Sequence, residues 1–351
     1  MKVKKILALV LVMLMAVSMA ACGGNTTGST TQPDSANGNT SKDSGNAEFI
    51  LKVGHSIQEE TPTHQALLSF EKEVEEKSGG RIDVQIYANG ALGTERAMTE
   101  AVQMGTLEVT LPSSAIVATF DPMLDVLSLP FLFPDAETAR SALSGDFGDL
   151  LTVNLESIGL VSLGWLENGV RYISNNKHPI NTLDDMKGIK IRTIENEIQM
   201  NFFSAWGASP NPMAYSELFT ALQQGVVDAQ ENSIFLIKSS RFEEVTDYLL
   251  LTPHWYCTLP VIMNKAFFDS LPEDLQTIVK DAMTACSELQ YELCDAANEE
   301  ALAYLMEHME TNELTEENLQ KFIDACAPVY EDAREQFGDE VIDMALSFQS
   351  K

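Results

Sequence analysis

The sequence predicts an α/β protein of two lobes tied together by one long helix, on three observations. From residue 49 onward, segments with period-two apolar alternation take turns with segments of helical period. The length, 351 residues, allows a large core and more than one compact unit. No glycine or proline interrupts 273–310, so a helix there would run on the order of 55 Å, longer than one small domain.

The chain begins with a segment outside the fold. Lys2, Lys4 and Lys5 precede an apolar run over 6–21, too short to span a bilayer comfortably and shaped like a secretory signal. It ends Met19-Ala20-Ala21-Cys22, which resembles the lipobox of bacterial lipoproteins, with Met19 where leucine is usual. That resemblance implies that Cys22 is lipidated and becomes the new N-terminus; a plain cleaved signal is the alternative. Residues 1–22 are thus a lipoprotein signal peptide. The following stretch, 23–48, is mostly Gly, Ser, Thr, Asn and Asp, and cannot bury enough apolar surface to order itself. As a flexible tether it would reach roughly 25 to 30 Å.

The ordered elements follow. Residues 49–53 read as a strand. A helix after Thr61-Pro62 places Leu67, Phe70 and Val74 on one face and stops at Gly79-Gly80; Ile82, Val84 and Ile86 alternate as a second strand. A helix over 94–104 leads to a strand over 107–111. This βαβαβ order predicts a mainly parallel sheet with helices on its faces. Residues 160–175 start a second set of strands, and 181–232 supply its helices and further strands. Within that region Gly188 breaks a turn, after which Ile189 and Ile191 alternate with Lys190 and Arg192. Arg192 ends a strand with its side chain off the core, where a guanidinium borders the ligand crevice of an open α/β sheet and can grip a carboxylate through two hydrogen bonds. A solvated arginine is the other reading. Residues 218–224 form a short helix stopped by Gly225, and 226–232 a buried strand turning polar. Ser270-Leu271-Pro272-Glu273 reads as a capping box opening the long helix, with a break near Asn298 as the alternative.

Composition narrows the function. Fifty-two acidic side chains face 22 basic ones, a net charge of -30 that repels nucleic acid and anionic membrane surfaces, so no nucleic-acid partner is expected. An anion binder with this field must rely on local arginines in a partly desolvated cleft. There is no GxSxG, HExxH, GxGxxG or phosphate-loop motif, and His55, His64, His178, His254 and His308 are scattered. Nothing in these patterns requires an enzyme, a cofactor or a metal. Cys286 and Cys294 lie roughly 12 Å apart along one helix, too far for a disulfide. Buried free thiols are the default for these and for Cys257 and Cys326, with a bridge from either of the latter to a helix cysteine left open by an exported location.

The run PMAYSELFTALQQGVVDAQEN, with DDMKGIKIRT, GVRYISNNKHPI, LKVGH, ALGTER, LPFLF and LLTPH in that family's order, resembles the solute-binding proteins of tripartite ATP-independent periplasmic (TRAP) transporters. The likeness extends from about residue 49 to the long helix near His308. It implies a periplasmic-binding-protein-like fold, with lobe I formed by 49–168 plus 257–296, lobe II by 169–256 plus 297–351, and a long helix bridging both. It implies capture of a small organic acid, a dicarboxylate, uronate, aldonate or keto acid, and delivery to TRAP membrane subunits driven by an ion gradient. A tethered sensor on the same fold is the alternative. Residue by residue it assigns Arg192 the carboxylate clamp, Arg171 a second cationic contact and Asn232 a hydrogen-bonding partner. Tyr215 stands where the family usually has phenylalanine against the ligand, and Ala229 replaces a common glycine, narrowing the strand's approach to the site. By position His55, Ser113 and Trp255 line the cleft; a surface ion pair is the other reading of Arg171, core packing of Trp255 and a satisfied loop histidine of His55.

Overall fold

The computed structural model describes residues 47–350. Cys22, the signal segment and all of the tether but its last two residues lie outside them. In chain order the described residues form β1 (Phe49–Gly54), α1 (Pro62–Lys77), β2 (Ile82–Tyr87), α2 (Glu95–Met104), β3 (Val109–Thr110), α3 (Ser114–Val117), α4 (Ala136–Leu143), α5 (Asp146–Thr152), β4 (Leu160–Asn175), β5 (Lys190–Thr193), α6 (Glu197–Ala205), β6 (Ser209–Pro212), α7 (Tyr215–Gln223), β7 (Ala229–Ser233), α8 (Ile234–Ser239), β8 (Tyr248–Asn264), α9 (Lys265–Ser270), α10 (Glu273–His308), β9 (Glu310–Asn312), α11 (Glu316–Ala325), α12 (Ala327–Phe337) and α13 (Asp339–Leu346).

Local chemistry sets the early boundaries. The Thr61 side chain accepts from the His64 amide and Pro62 takes the first helical turn, so α1 starts where a missing N–H costs nothing. Leu67, Phe70 and Val74 are fully buried along its inner face, each worth about 1.5 to 3 kcal/mol relative to exposure. Gly79 and Gly80 then take left-handed dihedrals after the helix end. Thr94 caps α2 in the same way, and Gly105 ends it at φ +76°.

The sheet departs from the parallel expectation at its centre. Its strands run β2-β1-β3-β8-β4-β7-β5-β6, with β9 on the far part of β8. The flanks are parallel: β1 with β2 and β3, and β5 with β6 and β7. Between them β4 and β8 form a long antiparallel pair from Leu160↔Asn264 to Asn175↔Tyr248, with register shifts that include one between Glu167 and Gly169. Both strands are buried for most of their length, and a continuously buried strand carries no alternation from which direction can be read. Smaller differences follow from pairing. Only Val109–Thr110 of the 107–111 segment joins the ladder, α7 starts three residues earlier than Leu218, and β7 starts at Ala229 rather than Val226.

Helix α10 is one uninterrupted helix of 36 residues with no break at Asn298. Its capping box does not form. Pro272 is the cap residue, its carbonyl accepting from the amides of Leu275 and Gln276, while the Ser270 hydroxyl turns back to the Phe267 carbonyl. Leu275, Val279, Met283 and Cys286 pack into a core with β1, α1 and the C-terminal part of β8. Cys294, Ala301 and Leu305 pack into another with α7, α8 and Ile57. The helix therefore ties two cores together. The four cysteines among the described residues, Cys257, Cys286, Cys294 and Cys326, are free and buried.

Candidate functional site

A cavity of about 290 Å³ opens where β4, β5 and β7 meet the loop after β1 and the starts of α2 and α7. That volume suits a ligand of few heavy atoms. Its walls include Ser56, Glu95, Ser113, Asn168, Arg171, Arg192, Tyr215 and Asn232.

Strand β5 carries Arg192 to the cavity. The alternation held for Ile191, which is buried, and Arg192 lines the cavity; its side chain is only 3 % exposed, so it is not a solvated arginine. Its Nε and Nη2 both donate to the Met213 carbonyl, at 3.1 and 2.9 Å. One edge of the guanidinium is thereby fixed by the backbone just before α7. Among the described residues Nη1 has no acceptor and Arg192 has no carboxylate partner, which leaves the terminal Nη1/Nη2 edge for a bidentate anion. Burial pushes its pKa down to about 10, still far enough above neutrality to keep the charge.

Arg171 on β4 is differently disposed. Its Nε donates to Glu231 Oε2, and Nη2 donates to Glu231 Oε1 and to the Glu231 carbonyl, each at 2.6 Å. The pair is buried rather than exposed at the surface. Burial opposes both charges, yet the attraction between the partners holds the Glu231 carboxyl below its usual range and raises Arg171. The Trp255 ring lies 5.1 Å from the Arg171 Cζ and its indole N–H donates to the Leu127 carbonyl at 2.6 Å. Trp255 thus supports Arg171 from within the core and does not line the cavity. Asn232 does, with its Nδ2 donating to Gln230 Oε1 at 2.7 Å. Ala229, fully buried in the core, does not narrow the site.

His55 is also away from the cavity wall. At the start of the β1–α1 loop, its Nε2 lies 3.0 Å from Nδ1 of His64 on α1, and burial, then His64, lowers its pKa to about 4. The Tyr215 hydroxyl bonds the Ser240 hydroxyl and receives Gln58 Nε2 at 3.5 Å. Ser113 lines the wall, its hydroxyl turned toward the Ala115 amide and the Cys257 thiol. Among the described residues no group of three or more His, Cys, Asp or Glu is placed to hold a metal.

Two side chains were passed over in the sequence. Glu95 stands inside ALGTER and reads as an ordinary first-turn helix residue; its Oε1 accepts from the Ser56 hydroxyl at 2.7 Å and its Oε2 from the Ser113 amide at 3.1 Å. Asn168 precedes Gly169, at φ +78°, within the β4 register shift. Glycine there permits a left-handed residue that a β-branched one would not. At the rim, Arg96 pairs with Glu195 at 3.1 Å.

The comparisons with known proteins agree with this architecture. A family described as bacterial extracellular solute-binding protein, family 7, matches residues 53–336. A solute-binding protein of Verminephrobacter eiseniae is 38% identical over 305 residues, 86% of this chain and 90% of that protein. The sugar acid binding protein DctPAm of Advenella mimigardefordensis, solved with galactonate, superposes with a TM-score of 0.83 at 34% identity, covering 86% of this chain and 97% of that one. A TRAP periplasmic solute binding protein of Polaromonas sp. JS666, solved with D-erythronate, gives 0.82 at 34% identity over 85% and 98% of the two chains. The two-lobed α/β architecture, the long helix and a family match over most of the sequence identify this chain as a member of family 7 of the bacterial extracellular solute-binding proteins.

Proposed function

We propose that the protein captures a small organic acid anion outside the cytoplasm and presents it to the membrane subunits of a TRAP-type, ion-gradient-driven transporter. One observation carries the anion reading: a buried guanidinium, fixed along one edge by a backbone carbonyl, with its other edge turned to a cavity and no carboxylate partner among the described residues. In such a site a ligand carboxylate replaces water lost on burial and makes two charge-assisted bonds. Arg171 contributes shape and hydrogen-bond donors more than net charge, because Glu231 neutralises it. Asn232 and Tyr215 supply polar contacts beside the carboxylate. The protein acts by binding, without catalysis.

The lobes we assign are 49–168 plus 257–296 and 169–256 plus 297–351. In support, the N-terminal part of β4 and the C-terminal part of β8 pair in the region that adjoins β3, and the opposite parts pair in the region that adjoins β7 and β9. We also assign Cys22 as a lipid anchor, on the residues before it and the polar stretch after it. Cys22→Ala is expected to release the protein from membranes, and retention after a salt wash would sink the anchor.

A thermal-shift panel of aldonates, uronates, keto acids and dicarboxylates tests the capture. An acid present at a hundred times its dissociation constant adds about 2.7 kcal/mol of stability. No shift from any carboxylate at millimolar concentration would refute the reading.

A further inference from the structure

The charges around the cavity do not balance as a dicarboxylate receptor requires. Three arginines border it, yet Glu231 neutralises Arg171 and Glu195 pairs with Arg96 at the rim. Arg192 alone is left with an open fork. The same cavity holds Glu95, which makes no direct ion pair among the described residues although its charge acts on Arg192 from a distance; its oxygens accept only from Ser56 and Ser113, so each keeps a free lone pair. It also holds Asn168, 6 % exposed, whose Oδ1 is buried with no donor and whose Nδ2 reaches only the Cys257 sulfur at 3.8 Å. A buried acceptor left without a donor costs free energy until something supplies one, so a ligand hydroxyl that donates to it gains what the free protein lacks. The unmet needs of this cavity are therefore one carboxylate for Arg192 and hydrogen-bond donors for Glu95 and Asn168.

A second ligand carboxylate supplies no donor and meets Glu95 charge to charge. Hydroxyl groups supply donors without charge. Resting on the organic-acid reading above, we infer that the site selects a monocarboxylate bearing hydroxyl groups along its chain, with Glu95 and the Asn168 amide oxygen as the specificity-determining acceptors that exclude dicarboxylates. The discrimination has two parts: attraction of the hydroxyls, shared by Glu95 and Asn168, and rejection of the extra anion, which resides in Glu95.

Calorimetric titration with three four-carbon acids separates these parts. D-Erythronate has one carboxylate and three hydroxyls, succinate two carboxylates and no hydroxyl, and tartrate two of each. D-Erythronate should bind at least about a hundredfold more tightly than succinate, from two hydroxyl contacts at roughly tenfold each. Tartrate should stay weak because its second carboxylate faces Glu95. Glu95→Gln keeps the shape and removes the charge, so it should weaken D-erythronate by about tenfold and strengthen tartrate. Asn168→Leu should weaken D-erythronate by a similar factor and leave succinate unchanged. A native circular-dichroism spectrum and a cooperative thermal transition establish that each variant is folded. If succinate or tartrate binds the native protein as tightly as D-erythronate, or if Glu95→Gln leaves their ratio unchanged, this inference falls while carboxylate capture stands. If no carboxylate of the wider panel binds, capture itself falls and this inference with it.

Discussion

Arg192 carries one formal charge, but its geometry matters more than that charge. A lysine at 192 would keep the cation and lose the planar fork, so Arg192→Lys is expected to weaken binding by roughly ten- to a hundredfold, about 1.5 to 3 kcal/mol for one charge-assisted bond. Arg192→Ala should be weaker still, since it leaves the ligand carboxylate desolvated without a partner. Calorimetry with the acid found by thermal shift reads both; near-native affinity in Arg192→Ala would move the anion site to another residue. His55 gives a prediction in pH. Its folded pKa, about 4, lies below the usual 6.5 because burial disfavours the imidazolium, with His64 adding to the effect. The fold favours neutral His55, so this contribution is complete above pH 6.5 and is lost as pH falls toward 4. Its full size is on the order of 3 kcal/mol. His55→Gln should lose stability less steeply than the native protein over that window, as followed by urea midpoints; parallel pH curves would contradict it. Sequence made Arg192 and Asn232 legible because each sits in a short, distinctive run. It could not show that Arg171 is already paired, since Glu231 lies on another strand, nor that Trp255 faces the back of Arg171 instead of the cavity.

At the scale of the element, α10 was the most legible feature: the absence of glycine and proline over 273–310 foretold its continuity, and the helix runs through Asn298 without interruption. Asn298 has a task in that region. Its Oδ1 accepts from the Phe235 amide at 3.2 Å and so caps α8, an element more than sixty residues earlier. Proline at exposed Glu299, in the same turn, would remove a backbone bond without touching a core side chain. Glu299→Pro should therefore cost about 3 kcal/mol or more, seen as a lower urea midpoint. A midpoint within error of the native one would mean that the two cores do not depend on the helix between them. The long strands were the least legible. No strand was read over the residues of β8, because a ribbon buried on both sides offers no alternation and its antiparallel partner is distant in the chain.

For the whole molecule, Arg192 and Asn232 fall on one assigned lobe and Glu95 and Asn168 on the other. A ligand that touches both sets stabilises the closed arrangement by the difference in its contacts with the two forms. Small-angle scattering should then give a smaller radius of gyration with saturating ligand than without; identical profiles would indicate a site that is closed before binding. The connectivity has a further effect on how the molecule is made. Val109 in β3 pairs with Met263 in β8, roughly 150 residues later, and the second side of the α1 core comes from Leu275, Val279 and Met283. The N-terminal region cannot finish its sheet or cover its apolar face while the segment after residue 257 is still missing. Long-range pairings of this kind make folding slow, and unpaired β3 and exposed α1 would linger in the nascent chain. For a member of an extracellular family that delay has a use: the chain stays open, without a finished N-terminal core, until the segment after residue 257 is available to close it.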